Sequence, residues 1–228
     1  MELRLVGSEM CIRDSVCVDG AQSTPHMNVD VQDLDIDFLA FSIHKMCGPS
    51  GMGGLWGRYD LLDNLRTIQS GGQTVKTSTY DSIEWANPPA RFEGGLGNFS
   101  GMIATGAAID YLSKIDMDAV HEHEIRLNTI MTNGIKDLPG IEIIGPLDAN
   151  KRGGICSILM DELPAHDIAL LLDEAAGVMV RSGQHCVHSW FNSRGHINGS
   201  LRASAYLYNT EEEARLFAEI FTLSLIHI

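Results

Sequence analysis

The 228-residue sequence predicts an α/β protein in two parts, a layered sheet followed by a compact α+β domain. Three observations carry this expectation. Short apolar runs at 16–20 (VCVDG) and 36–43 (IDFLAFSI) end in polar residues, as buried strands do. A glycine-rich stretch, GPSGMGGLWG at 48–57, leads from the second run into a third strand at 53–57. Beyond residue 100, helical and strand-like segments alternate without any repeat.

The elements follow in order. Residues 61–99 read as mostly loop, punctuated by Gly71-Gly72, Pro88-Pro89 and FEGGLGN. GMIATGAAIDYLSKI reads as one helix. MDAVHEHEIRLNTIMTNGIKDLPG reads as a second, with Val120, Ile125, Leu127, Ile130, Met131 and Ile135 on its apolar face and Pro139-Gly140 stopping it. Strands are expected at 141–145 and 154–160, a helix at 165–177, strands at 178–183 and 201–208, and a last helix at 210–221. Thr210 followed by Glu213 forms a capping box at the start of that helix.

Composition narrows the function. Sixteen Lys and Arg against 30 Asp and Glu leave a net charge of −14, a poor match for a phosphate backbone, so no nucleic-acid partner is expected. No run approaches the roughly 18 apolar residues of a membrane span. The five cysteines are odd in number and lack a CxxC pair, which argues against a disulfide framework and a zinc site. A reducing, cytoplasmic compartment and no metal are therefore expected. Cys17, Cys47 and Cys156 lie in apolar or glycine-rich runs and read as packing residues.

The two ends stand apart. MELRLVGSEMCIRDS and the terminal LSLIHI resemble translated sequencing-adapter read-through, so 1–15 and 223–228 are expected to be non-native. The domains expected are then 16–115, built on the first three strands, and 116–222, a small C-terminal α+β domain.

Two long motifs are recognisable. VDGAQSTPHMNVDVQDLDIDFLAFSIHKMCGPSGMGGLWG resembles the pyridoxal-phosphate segment of class V aminotransferase-fold enzymes. VRSGQHCVHSWF with LRASAYLYNTEEEA resembles the C-terminal signature of the group II cysteine desulfurases and selenocysteine lyases. The resemblance covers about residues 16–222. It implies the fold type I of pyridoxal-phosphate-dependent transferases, here the C-terminal part of the large-domain sheet plus the small domain.

Chemistry explains the residue types. Pyridoxal 5'-phosphate is an electron sink that needs a lysine for its aldehyde and an acid for its ring nitrogen. The resemblance places Lys45 as the Schiff-base lysine and Asp19 at the ring nitrogen. It places Gln22 at the ring oxygen, and Ser42 and His44 at the phosphate. His26 reads equally as a pocket-edge or a structural residue. Cys186 lies in a Gly/Ser/His loop that suits an accessible thiolate, and the resemblance makes it the sulfur-accepting nucleophile. His185 and His188 flank it and are placed to hold or move protons. Arg202 has the forked guanidinium that grips an amino-acid carboxylate, its role by resemblance. Arg181 is a weaker candidate for positioning the cysteine loop.

The resemblance implies conversion of L-cysteine to L-alanine with a persulfide left on the enzyme. L-selenocysteine is a further implied substrate, an acceptor protein of iron–sulfur assembly an implied partner, and a homodimer the implied full-length state. Kynureninase- or epimerase-like chemistry, or an inert fragment, are the alternatives. Two departures limit the carry-over. The family's FEAGTPN appears as FEGGLGN, so Leu96 stands where a phosphate-reaching Thr is expected. Nothing matches the N-terminal half of the family's large domain, so the expectation is a C-terminal fragment.

Overall fold

The computed structural model describes residues 15–161 and 163–226. The proposed non-native character of 1–15 thus falls almost wholly outside the described residues. The chain divides into two compact units that meet in sequence at Asp116 and Met117.

In the N-terminal unit, β1 (Cys17–Asp19) runs parallel to β2 (Phe38–Ser42), with Asp19 opposite Ala40. β3 (Gly53–Gly57) closes the sheet antiparallel to β2, pairing Leu39 with Trp56. The glycines of β3 make room for aromatic rings: a Cβ on Gly54 would lie 2.5 Å from Phe41 Cζ. Of these strands only Leu39 is fully buried. This corrects the expectation of buried strands. It also corrects Cys17 and Cys47, which are exposed. Cys17 sits on an edge strand with its neighbours alternating outward, and Cys47 occupies a left-handed turn (φ 58) that Gly48 N–H closes onto Ile43 O.

The expected loop at 61–99 also holds regular structure. α1 (Tyr59–Asn64) follows β3, and β4 (Val75–Ser78) pairs antiparallel with β5 (Ile83–Trp85). Their connection is tied by Thr79 N–H to Ser82 O at 2.9 Å. Strands this short carry little alternation, and the surrounding glycines and prolines masked them. α2 (Phe99–Ile115) is capped by Asn98, whose Oδ1 accepts from Gly101 N–H at 3.0 Å. Ala108 and Leu112 are buried while Ile103 is 76% exposed.

The C-terminal unit holds the main core. Its elements are α3 (Met117–Ile135), β6 (Ile141–Ile143), β7 (Ile155–Met160), α4 (Ala165–Ala176), β8 (Arg181–Gly183), α5 (His188–Ser193), β9 (Ser200–Ser204) and α6 (Glu211–Ile226). The strands form one antiparallel sheet in the order β6-β7-β9-β8. Leu127, Ile135, Ile158, Ile168, Leu201 and Phe221 are wholly buried within one apolar cluster. β8 and β9 are shorter than the apolar runs that predict them. The chain leaves β9 after Ser204, where Ala205 N–H turns to Gly154 O at 2.7 Å. α5 was not expected, and α6 continues past residue 221 with Leu225 packed against the core.

The buried stripe of α3 is half polar. Glu124, Asn128 and Thr132 recur every four residues and share that face with Val120, Leu127 and Met131. Asn128 Nδ2 donates to Gly153 O at 2.5 Å and Ile155 O at 3.1 Å, and its Oδ1 accepts from Thr132 Oγ1 at 3.1 Å. The helix thereby fixes the entry to β7. Cys156 of β7 is fully buried, and burial pushes its thiol above the ordinary range, the signature of an inert packing residue.

Candidate active site

The candidate residues form two clusters, one in each unit. In the N-terminal unit, parallel pairing puts the C-terminal ends of β1 and β2 on the same side of the sheet, where α/β sheets present ligand groups. Asp19 ends β1 and is exposed, its Oδ1 accepting from Ala21 N–H at 2.9 Å. Gln22, also exposed, follows in the next turn, and His26 is half-buried. Ser42 ends β2, and the single 3-10 turn Ile43–Lys45 carries His44, exposed, and Lys45, half-buried. Ile43 N–H bonds to Met52 O at 3.1 Å, anchoring the turn that bears the lysine to the stretch entering β3. Thr24 Oγ1 is buried with no hydrogen-bond partner, and a Cβ on Gly20 would lie 2.7 Å from it. Nothing in the sequence singled out this hydroxyl.

An amine, a carboxylate, an amide, a hydroxyl and an imidazole thus gather along two neighbouring strand ends. Those groups match an aldehyde, a protonated ring nitrogen, a ring oxygen and a phosphate, so the residues fit the pyridoxal phosphate that the sequence implies. Leu96, the departure from the family pattern, is 86% exposed on its loop.

In the C-terminal unit the site is built around the tight turn Gln184–Val187, closed by Val187 N–H to Gln184 O at 2.8 Å. Both central residues are left-handed, His185 at φ 49 and Cys186 at φ 67. Such turns ordinarily use Asn and Gly, because each side-chain-bearing residue in this region costs about 1–2 kcal/mol. Three ties hold the strained backbone. Gln184 Nε2 donates to Asn192 Oδ1 at 3.1 Å and to Ile197 O at 2.8 Å. His185 Nε2 meets Ser200 O at 3.1 Å and Ser200 Oγ at 3.0 Å. Gly199 crosses Gly183 so closely that a Cβ on it would lie 2.2 Å from the Gly183 carbonyl carbon.

Cys186 is exposed on this turn, and Arg181 Nη2 donates to its Sγ at 3.8 Å. Arg202 lies mid-strand in β9, opposite Ser157 on one side and Arg181 on the other. A cavity of about 380 Å³ opens beside it, lined among others by Ser157, His185, Val187, Trp190, Phe191 and Arg202. Trp190 is braced edge-on by Phe191 (5.0 Å) and covered by the Arg194 guanidinium at 4.3 Å. Burial lowers the Arg202 pKa, and Arg181 lowers it further while Cys186 opposes both, yet a guanidinium remains charged. Its Nε is buried without a partner, a donor left for a ligand. Burial, then Arg202, also hold His185 below the ordinary histidine value, with Arg181 adding to the effect and the Ser200 bond opposing it. His188 starts α5 and is exposed. Sequence reasoning singled out Cys186 and Arg202 but not Gln184 and Ser200, whose contacts arise across the turn. Trp190 was legible only as an aromatic in a polar loop.

Among the described residues no group of His, Cys, Asp and Glu is placed to hold a metal, and no helix is long and apolar enough to cross a membrane.

Two strand ends bearing a lysine and an acid, with a thiol and an arginine in a following α+β unit, define a class. The aminotransferase class-V family model matches residues 12–217, and the chain belongs to that family. Among curated relatives it is 41% identical over 198 residues to a probable cysteine desulfurase of Streptomyces coelicolor, covering 87% of this chain and 47% of that protein. It is equally 41% identical to the cysteine desulfurase of Haloferax volcanii, covering 87% and 46%. Among solved structures, the apo cysteine desulfurase of Thermococcus onnurineus superposes with a TM-score of 0.88 at 35% identity, over 94% of this chain and 53% of that one. The cysteine desulfurase CsdA of Escherichia coli gives 0.86 at 31% identity, over 94% and 52%. The chain spans about half the length of the curated relatives it matches.

Proposed function

We propose that the protein to which this chain belongs is a pyridoxal-phosphate-dependent cysteine desulfurase. The observation that carries the reading is Cys186, an exposed thiol on a strained turn with Arg181 at its sulfur and Arg202 beside an open cavity. Identity to proteins named cysteine desulfurases supports it.

In this reading Lys45 holds the cofactor's aldehyde carbon and Asp19 keeps the proton on its ring nitrogen. Gln22 bonds the ring oxygen, and Ser42 and His44 bond the phosphate. The bound cofactor supplies an electron sink for the substrate's α-carbon. Arg202 grips the carboxylate of L-cysteine with its fork, which orients the substrate sulfur. Cys186 Sγ attacks that sulfur, so an S–S bond forms as the substrate's Cβ–S bond breaks. The electron pair left on carbon takes up a proton, L-alanine departs, and Cys186 retains a persulfide. That outer sulfur passes to the thiol of an acceptor protein. L-selenocysteine has the geometry for the same site, a homodimer is the assembly proposed for the full-length enzyme, and the four cysteines among the described residues, all free, agree with a reducing cytoplasm.

Titrating the full-length protein with pyridoxal phosphate tests the first half of this reading. The absorbance band of lysine-bound cofactor is expected in the parent and absent in Lys45→Ala. A band of equal strength in the variant overturns the assignment. Mass spectrometry of the Cys186 peptide after addition of L-cysteine tests the second. A persulfide on that peptide supports the reading, and sulfide release at an unchanged rate from Cys186→Ser refutes it.

A further inference from the structure

We propose that His185 is a positioning residue, a neutral strut anchored on Ser200 that holds Cys186 with its sulfur at Arg181. The proposal rests on reading Cys186 as the sulfur carrier and adds what keeps it in place.

Hydrogen-bond chemistry assigns the state of the ring. The Ser200 backbone oxygen can only accept, so His185 Nε2, at 3.1 Å from it, carries the hydrogen. Nδ1 is then a bare lone pair, and it is buried with no partner. Protonation would place an N–H at that atom with nothing to accept it. The charged groups that act on the ring both oppose such a proton: Arg202 on β9 and Arg181 on β8 are cations, while from α5 the uncharged Phe191 ring packs against it at a centroid distance of 6.1 Å. The ring is therefore a donor without a charge. A lysine or arginine here would add a third cation beside two, and an apolar side chain would remove the turn's bond to Ser200.

The strut is needed because the turn does not hold itself. His185 and Cys186 are consecutive left-handed residues with side chains, and relaxation of either would swing Sγ away from Arg181 Nη2. That donor is placed for the anionic, nucleophilic form of the thiol. Ser200 is the right anchor, being 1% exposed and part of the same strand as Arg202. One strand thus fixes both the carboxylate-binding residue and the nucleophile's turn.

Alkylation of Cys186 by iodoacetamide, followed on its own peptide by mass spectrometry in the 228-residue chain, tests this without cofactor or L-cysteine. Its outcome is thus separable from that of the desulfurase reading. His185→Ala is expected to slow alkylation about fivefold, the factor one lost hydrogen bond permits. His185→Gln, neutral and still able to donate to the Ser200 carbonyl, is expected to recover most of the rate. A merely structural role predicts the reverse, since loosening the unit exposes the thiol and speeds alkylation. Parent-like or faster alkylation in His185→Ala overturns the proposal, as does failure of His185→Gln to recover rate. Should His185→Ala not fold, Ser200→Ala removes the hydroxyl and keeps the carbonyl. A smaller slowing is then expected, and an unchanged rate overturns the proposal.

Discussion

His185 Nε2 donates to the Ser200 carbonyl at 3.1 Å, so the residue before the exposed cysteine is bonded to the strand that carries Arg202. Burial and the neighbouring arginines lower the ring's pKa from 6.5, so folding favours the neutral ring. The unfolded chain binds the proton more readily, and stability therefore falls as pH drops below 6.5 toward the lowered native value. Urea unfolding above and below that pH is expected to show a loss in the parent that shrinks in His185→Gln. Equal losses in both would place the proton elsewhere.

The left-handed backbone at Cys186 predicts a trade between stability and chemistry. Glycine adopts φ 67 without strain, although it adds freedom to the unfolded chain. Cys186→Gly is expected to stabilise the C-terminal unit by about 0.5–1 kcal/mol while removing the thiol. Denaturant midpoints measure the gain, and a destabilised variant would show that the turn is unstrained.

Asn128 predicts a cost without any role in the site. Leucine in its place would leave Gly153 O and Ile155 O without their side-chain donor inside the unit. Asn128→Leu is expected to lose about 1–3 kcal/mol on denaturant unfolding, despite the apolar gain. A neutral result would mean that other donors reach those carbonyls.

The capping box of α6 is reciprocal. Glu213 N–H donates to Thr210 Oγ1 at 3.2 Å, and Thr210 N–H donates to Glu213 Oε2 at 2.8 Å. Thr210→Ala is expected to cost about 1 kcal/mol. The Thr210 backbone bond, then the Asn209 side chain, lower the Glu213 pKa from 4.5. Its stabilising contribution is thus complete above 4.5 and fades as pH falls through the lowered value. An acid-unfolding curve that Glu213→Gln leaves unchanged would contradict this.

Arg202 predicts a distinction between charge and shape. Lysine preserves the cation but not the fork, and the Nε donor buried beside the cavity is lost. In enzyme able to turn over, Arg202→Lys is expected to raise the KM for L-cysteine about tenfold or more, with a smaller change in kcat. A KM unchanged within error would move the carboxylate site elsewhere.

Much of this molecule is written in local chemistry. Apolar runs ending in Asp19 and Ser42 made two strands legible, the 3.6-residue pattern of 117–135 made α3 legible, and Thr210 with Glu213 marked the start of α6. Lys45, Cys186 and Arg202 stood out because few residue types perform their chemistry and each sat in a long motif. The remainder depends on which segments meet. The β4–β5 hairpin exists through cross-strand pairing that neither strand signals alone, and Cys17 and Cys47 face outward because of where their strand and turn lie in the sheet. Glu124, Asn128 and Thr132 look like surface residues along the helix until the chain at 153–155 arrives to accept from Asn128, which in turn accepts from Thr132. Ser200 is unremarkable in sequence, and only the return of β9 alongside β8 brings it to His185. Residue type and period thus determined the elements and the reactive groups, whereas tertiary contact decided how the cysteine's turn is held, because hydrogen bonds between distant segments leave no local pattern.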